Sequence, residues 1–219
     1  MSGIYIPDVV KELISFYGEL LINRSKFPTV KDHLFSLSAK MWEGIQHDVS
    51  CVKTEFNNYH PTYLGLDFHS AEWRKLSFDD CLLAIASEYG FNNWDEVEKK
   101  GSIAYDNDFQ SAIDHLLNGE REALTSILKE NPGVIHRSSQ YGHRARLIHY
   151  CGSNGVELWR QRVPYNLPEL VGILRERGAD VNATMKVYGG NYDVSSLTTT
   201  SAHPKEAGII ELLLDAFKC

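Results

Sequence analysis

Apolar residues recur at helical spacing over most of the chain. After Pro7, which suits the first turn of a helix, they return every three or four positions up to about Asn23. A second apolar stripe runs from Val30 to Ile45. It follows Thr29, a residue type that caps helix N-termini, with an acidic residue three positions on. The pattern predicts two helices in this stretch.

Two more helices are expected before residue 101. Ser77 is placed to cap the first, and Gly90 to end it in a left-handed conformation. Asn93 is placed to cap the second, which Gly101 closes. Residues 48–70 show no clear period and are broken by the sequence NNYHP. We therefore predict a helical N-terminal region over residues 1–101, with about four helices and no strand.

Three segments in the second half of the chain share a register. They read LTSILKENPGVIHRS, LVGILRERGADVNAT and IIELLLDAFKC, and they begin at Leu124, Leu170 and Ile209. The middle segment turns on Gly178, because glycine accepts the positive φ that ends a helix. A shorter segment of helical character precedes each one. A helix–turn–helix unit that is repeated in this way is typical of a solenoid.

These segments resemble the ankyrin repeat family. The string Gly-Ala-Asp-Val-Asn-Ala at 178–183 matches the family pattern in full, and RLIHYCGSNG matches it in part, with His149 at the family's histidine position. The string SEYGFNNW also resembles a bacterial group of ankyrin-repeat proteins with a helical N-terminal part. The resemblance implies an all-α fold: a short, irregular ankyrin solenoid of about three repeats over residues 102–219, capped by the N-terminal helices.

The same resemblance implies a role and a place for that role. Ankyrin-like proteins are binding scaffolds, so we expect non-catalytic recognition of a protein or peptide on the inner helices and long turns. At the family's position, His149 is expected to bond turn backbone between neighbouring repeats rather than act in catalysis.

Two insertions make the repeats irregular. The starts of the three segments are 46 and 39 residues apart, against about 33 in ankyrin repeats. The excess is expected to leave the stack as two loops, ELWRQRVPYNLP at 157–168 and MKVYGGNYDVS at 185–195. Loops on a rigid scaffold are common places for binding residues.

Charge points to the same part of the chain. The formal net charge is −7, but residues 134–166 carry five arginines against one glutamate. Arginine presents a planar fork to carboxylates and stacks on aromatic rings. We therefore predict a binding surface for a partner with acidic groups. Its candidate residues are Tyr141, His143, Arg144, Arg146, Trp159, Arg160, Arg162 and Tyr188.

Two alternatives to this binding surface remain open. The arginines can instead be structural, paired with acidic residues of the first repeat such as Asp106, Asp108 and Asp114. From another functional class, the protein can be an enzyme or small-molecule binder whose pocket, lined by His143, Arg144, Arg146, Arg160 and Arg162, holds an anionic ligand.

Other classes are disfavoured by the sequence. Its negative charge argues against nucleic acid as the main partner. No histidines have the spacing of a metal site, so we predict no metal and no cofactor. The four cysteines are far apart and form no C-x-x-C pair, which is typical of reduced thiols in the cytoplasm. We expect neither a signal peptide nor a membrane span.

Overall fold

The computed structural model describes residues 3–66 and 71–218, which are mostly helical with a few short strands. They divide into two compact units. The N-terminal unit comprises Asp8–Tyr105 with Gln140–Gly142, and the C-terminal unit comprises the chain up to Pro7, Asp106–Ser139 and the chain from His143 onward. The sequence analysis places one domain boundary after residue 101, whereas in the structure the main division falls at Asp106. In addition, the segment up to Pro7 belongs to the C-terminal unit, and Gln140–Gly142 belongs to the N-terminal unit.

The N-terminal unit is built from helices. They are α1 (Asp8–Tyr17), α2 (Glu19–Ile22), α3 (Val30–Gln46), α4 (Ser50–Tyr59), α5 (Phe78–Glu88) and α6 (Trp94–Lys100), with 3₁₀ turns at Arg24–Lys26 and Ala71–Lys75. The sequence analysis missed α4, which lies in the stretch 48–70. Its N-cap residue Val49 provides no side-chain cap, so the usual start signal is missing. Residues 67–70 of that stretch lie outside the described part of the chain.

The predicted caps of this unit are confirmed. The side chain of Thr29 accepts a hydrogen bond from the backbone N–H of Asp32 at 3.2 Å, at the start of α3. Ser77 and Asp80 bond each other's backbone N–H reciprocally before α5, at 3.4 and 2.7 Å. The side chain of Asn93 accepts a hydrogen bond from the backbone N–H of Glu96 at 2.9 Å, at the start of α6. These side chains satisfy donors that a helix leaves unpaired at its first turn, which fixes where each helix begins.

The segment Gln140–Gly142 completes the N-terminal unit from far along the chain. Tyr141 is buried there, with its ring centroid 4.7 Å from that of Tyr89 and 6.0 Å from that of Tyr105. A Cβ added at Gly142 would lie 2.3 Å from the carbonyl oxygen of Gly90. Only glycine allows the two backbones to approach so closely.

The C-terminal unit combines helices with four short strands. Its elements are β1 (Ile4–Tyr5), α7 (Asn107–Leu117), α8 (Arg121–Glu130), β2 (Val163–Pro164), α9 (Leu167–Glu176), β3 (Met185–Val187), β4 (Gly190–Tyr192), α10 (Val194–Thr200), α11 (His203–Glu206) and α12 (Ile210–Lys218), with 3₁₀ turns at Pro132–His136, Leu147–Gly152 and Leu158–Arg160. The leucines in the predicted register, Leu128, Leu174 and Leu213, are all buried in one core.

The predicted end of α9 is confirmed. Gly178 has φ 91°, and the N–H of Ala179 donates to the carbonyl of Leu174 at 2.9 Å. The side chain of Asp180 then accepts the N–H of Asn182 at 3.0 Å, which forms the turn expected there. Glycine tolerates this left-handed conformation without the steric cost of a Cβ.

Three expectations for the C-terminal unit are corrected. The segment Leu147–Gly152 is a 3₁₀ turn, not an α-helix. The chain also contains strands, since β1 pairs antiparallel with β2 in the register Ile4↔Pro164 and Tyr5↔Val163. Finally, the segment 157–168 does not project as a loop, because Leu158, Trp159, Arg160 and Val163 are buried in the unit.

The structure also bears on membranes. Over the described residues, every helix falls short of the length and apolar character that crossing a bilayer requires.

Candidate functional site

Arg160 lies at the centre of a buried polar cluster in the C-terminal unit. Its guanidinium donates from Nη1 to Glu157 Oε1 at 3.2 Å and from Nη2 to Gln110 Oε1 at 2.7 Å. Nη2 also lies 3.4 Å from Asp114 Oδ1. The 3₁₀ turn at 158–160 brings Glu157 and Arg160 together, and α7 supplies Gln110 and Asp114. The arginine is therefore held by partners from two elements.

Aromatic rings surround the same guanidinium. Its Cζ lies 4.6 Å from the ring centroid of Trp159 and 5.6 Å from that of Tyr150. The hydroxyl of Tyr150 donates to Glu157 Oε1 at 3.5 Å. The charge of Arg160 is thus balanced by a carboxylate and by the electron-rich faces of two rings. For Arg160 the structural alternative holds.

His143 belongs to this cluster as a neutral side chain. Its Nδ1 accepts the N–H of Ala145 at 3.0 Å, and its Nε2 lies 3.9 Å from Glu157 Oε1. Complete burial lowers the pKa of His143 to about 3, and the positive charges of His149, Arg160 and Arg144 add to the effect. The imidazole consequently remains uncharged at neutral pH.

Four of the eight candidate residues are therefore corrected as surface contacts. Tyr141, His143, Trp159 and Arg160 are buried. The first packs among tyrosines of the N-terminal unit, and the other three form the polar cluster just described. The sequence indicated residue types suited to recognition, but in the structure these side chains contact other residues of the protein interior.

His149 has the structural role that was expected of it. Its Nδ1 accepts the N–H of Arg146 at 2.9 Å, and its Nε2 donates to the carbonyl of Ala183 at 2.9 Å. The side chain therefore ties the start of one 3₁₀ turn to the end of the Gly178 string. Burial lowers the pKa of His149, while the backbone hydrogen bonds oppose that effect.

Arg137 also follows the structural alternative. Its Nη1 lies 2.9 Å from Asp106 Oδ2 and 4.0 Å from Asp108 Oδ2. This pairing with the first helix of the unit was one of the two interpretations that the sequence left open.

The remaining candidates reach the surface. Arg144 is exposed, and Arg146 and Arg162 are half-buried. Arg144 has φ 55°, an uncommon conformation for a residue with a Cβ. The carbonyl before it, on His143, accepts the N–H of Lys186 at 3.0 Å. The arginine-bearing loop thus lies against strand β3.

Strands β3 and β4 form a hairpin with a tyrosine at its tip. Tyr188 and Gly189 connect the strands and have φ values of 52° and 74°. Two consecutive positive φ values define a type I′ turn, which usually contains Asn, Asp or Gly. Tyr188 is 60% exposed, and its hydroxyl donates to Asn154 Oδ1 at 2.6 Å. The sequence analysis took this stretch for a loop, so the hairpin is a correction.

We define the finger surface as five side chains on the hairpin and the adjoining loop: Arg144, Arg146, Lys186, Tyr188 and Tyr192. It combines three positive charges with two exposed aromatic rings. Sequence reasoning missed Lys186 and Tyr192. The signal for them was YGG between residues of alternating character, which indicates a hairpin as well as a flexible turn.

Within residues 3–66 and 71–218, no three side chains of His, Cys, Asp or Glu come together as a metal site.

An open depression of about 430 Å³ does occur in the N-terminal unit, lined by Phe27, Lys31, Asp32, Phe35, Ser36, Trp94 and Glu98. It contains none of the candidate residues.

The chain was compared with models of known protein families, with curated proteins and with solved structures, and none of the three comparisons found a match.

Proposed function

We propose that the protein is a non-catalytic recognition scaffold of the ankyrin type, which binds an acidic protein or peptide segment through the finger surface. The observation that carries this proposal is the exposed β3–β4 hairpin, with Tyr188 at its tip and Arg144 on the loop beside it.

Local features support the ankyrin part of the proposal. The Gly178–Ala183 string ends a helix with a left-handed glycine, and its last carbonyl accepts a hydrogen bond from His149. Antiparallel pairing of short strands in the following segment gives a finger-like projection. The three segments that share a register contain the helices α8, α9 and α12, and their leucines Leu128, Leu174 and Leu213 are buried in a common core. A core shared by successive segments supports the proposed solenoid.

Strain and charge support the binding part. A bulky residue in the left-handed region costs on the order of 1–3 kcal/mol, and such strain concentrates at functional sites. Both Arg144 and Tyr188 adopt this conformation on the finger surface. Arginine forks and exposed tyrosine rings are also enriched where proteins bind partners.

The buried cluster weighs against the rival pocket. A ligand pocket needs polar groups that point into accessible space. His143 and Arg160 are instead fully buried. Protein groups bond Nδ1 of His143, at Ala145, and Nη1 and Nη2 of Arg160, at Glu157 and Gln110. Of the residues assigned to this pocket, Arg144 is exposed and Arg146 is half-buried.

The test compares two double variants of equal charge. Arg144→Ala with Arg146→Ala changes the finger surface, while Arg177→Ala with Lys205→Ala removes two exposed charges elsewhere in the same unit. Proteins captured by the wild type from the native cell are identified, and the affinity of each purified partner is measured by calorimetry. We expect the finger variant to bind at least about tenfold more weakly, a loss of about 1.4 kcal/mol, and the control variant to bind normally.

Ionic strength provides a second readout. Binding through exposed charges weakens as salt screens them, so the wild-type affinity should fall between low and physiological salt. Equal affinities for the finger variant and the wild type would overturn the proposed surface.

A further inference from the structure

The open depression of the N-terminal unit is lined by one face of each of two helices. Its volume of about 430 Å³ falls within the range of small-molecule sites, about 300–1,000 Å³. Residues that are four positions apart lie on the same face of a helix, which applies to Lys31 and Phe35 on α3 and to Trp94 and Glu98 on α6. The ring of Phe27, just before α3, completes the lining together with two further residues of α3.

Two contacts fix the direction in which α6 runs along α3. The ring centroid of Phe35 lies 6.2 Å from that of Trp94. The N–H of Lys31 donates at 2.8 Å to the carbonyl of Gly101, the residue that ends α6. The start of α6 therefore lies beside the second turn of α3, and its end lies beside the first turn. Since Glu98 is one turn after Trp94, the depression has an aromatic end at Phe35 and Trp94 and a charged end at Lys31 and Glu98.

The aromatic end presents accessible ring surface. Phe35 is 49% exposed although its ring also contacts that of Phe78 edge-on, with 5.6 Å between the centroids. Trp94 and Phe27 are half-buried. The faces of such rings carry negative charge density, so they attract cations as well as apolar groups.

The charged end favours a cation. Two carboxylates, those of Asp32 and Glu98, line the depression with a single ammonium, that of Lys31. One oxygen of Asp32 accepts a hydrogen bond from the hydroxyl of Thr29 at 2.7 Å, and a carboxylate has acceptor sites beyond that one. Glu98 is exposed. The ammonium of Lys31 stands on a long flexible stem that allows it to extend into water.

We propose that this depression binds a small organic ammonium compound. The apolar body of the ligand packs on Phe35 and Trp94, and its ammonium group is held by Glu98 and Asp32. The occupant is a small molecule, because the volume of the depression matches that class of site. The proposal does not depend on the finger surface, since the lining residues all belong to the N-terminal unit.

Three probes of similar shape and different charge test the ligand class: phenethylammonium, phenethyl alcohol and hydrocinnamate. Their affinities for the full chain are measured by NMR titration of ¹⁵N-labelled protein. The indole N–H resonance of Trp94, assigned by its loss in the Trp94→Phe variant, should shift with the cation. We expect the neutral probe to bind about threefold more weakly, as for loss of one exposed charge contact, and the anion more weakly still. A Trp94 resonance that does not move, or an anion that binds as tightly as the cation, would overturn the proposal.

Charge variants of opposite sign sharpen this test. Glu98→Gln should weaken phenethylammonium about threefold, and Lys31→Gln should strengthen it by a similar factor, because a like charge is removed. Asp95→Asn removes a carboxylate from an exposed position on another face of α6 and should leave the affinity unchanged. Equal affinities for Glu98→Gln and Asp95→Asn would contradict the assigned ammonium contact. Tighter binding of a lysine-bearing peptide than of phenethylammonium would assign the depression to a protein partner and overturn the small-molecule proposal.

Discussion

Two buried glutamates, one in each unit, have contrasting partners. Glu157 in the C-terminal unit is 3.2 Å from the guanidinium of Arg160, and it accepts a further hydrogen bond from Tyr150. Glu55 in the N-terminal unit accepts a hydrogen bond from the phenol of Tyr17, and burial raises its pKa to about 7. Both are almost fully buried. The state of a buried carboxyl therefore depends on its neighbours: a cation beside it stabilises the charged form, whereas burial itself favours the protonated form.

The two units should consequently respond to pH in opposite directions. Burial raises the pKa of Glu55 to about 7 and lowers that of His143 to about 3. Acid protonates Glu55 without cost to the N-terminal unit, but it drives protons onto His143 only when the C-terminal unit opens. Mild acid therefore favours one unit and disfavours the other.

The largest effect is expected from Arg160→Ala. This variant leaves Glu157 buried without the guanidinium and removes the cation between two aromatic rings. Breaking a buried ion pair in this way typically costs about 3–5 kcal/mol. The free energy of unfolding in urea measures the change, with Arg177→Ala as the exposed control. A loss below about 1 kcal/mol would show that the cluster contributes little to the C-terminal unit.

An intermediate effect is expected in acid. Because the folded pKa of His143 lies below the unfolded value of 6.5, the stabilisation is present above pH 6.5 and is lost as the pH falls towards 3. The expected loss is about 1.4 kcal/mol for each pH unit in this window. His143→Asn, which keeps an acceptor for the N–H of Ala145, should show a shallower decline. Urea unfolding at pH 4, 5 and 6 compares the two proteins, and equal slopes would refute the assignment.

The smallest effect on stability is expected from Arg144→Ala. The side chain is exposed, and surface substitutions usually change the free energy of unfolding by less than about 0.5 kcal/mol. Alanine would keep the steric strain of the left-handed conformation at this position, whereas glycine would relieve it. Arg144→Gly should therefore be slightly more stable than Arg144→Ala. Chemical denaturation of both variants checks this order. A large loss for Arg144→Ala would place this arginine with Arg160 as a structural residue.

Features that depend on neighbours in sequence could be predicted. The caps at Thr29, Ser77 and Asn93 each involve a residue three positions away. The left-handed end at Gly178 also follows from local rules, because a single residue type tolerates it. The family resemblance predicted that His149 bonds turn backbone, and its hydrogen bond to the carbonyl of Ala183 confirms this.

Features that depend on distant partners could not be predicted. The sequence marks 157–168 as an insertion rich in arginine and aromatic residues, and this composition fits an exposed binding loop as well as a buried segment. The burial of Arg160 depends on Gln110, which lies 50 positions earlier in the chain and accepts a hydrogen bond from its guanidinium. The pairing of β1 with β2 joins Tyr5 to Val163 through two-residue strands, too short to leave a period in the sequence.

The short exchange at Gln140–Gly142 has a consequence for how this protein can be divided. The chain leaves the C-terminal unit for three residues and then returns, and the first residues of the chain belong to the C-terminal unit while the next ones do not. A cut between Tyr105 and Asp106 would thus take Tyr141 from the core of one unit and strand β1 from the sheet of the other. Each fragment would then lack residues that complete its own unit. Recombination within the gene at this boundary would separate those residues from their units, so we expect the two units to be inherited together.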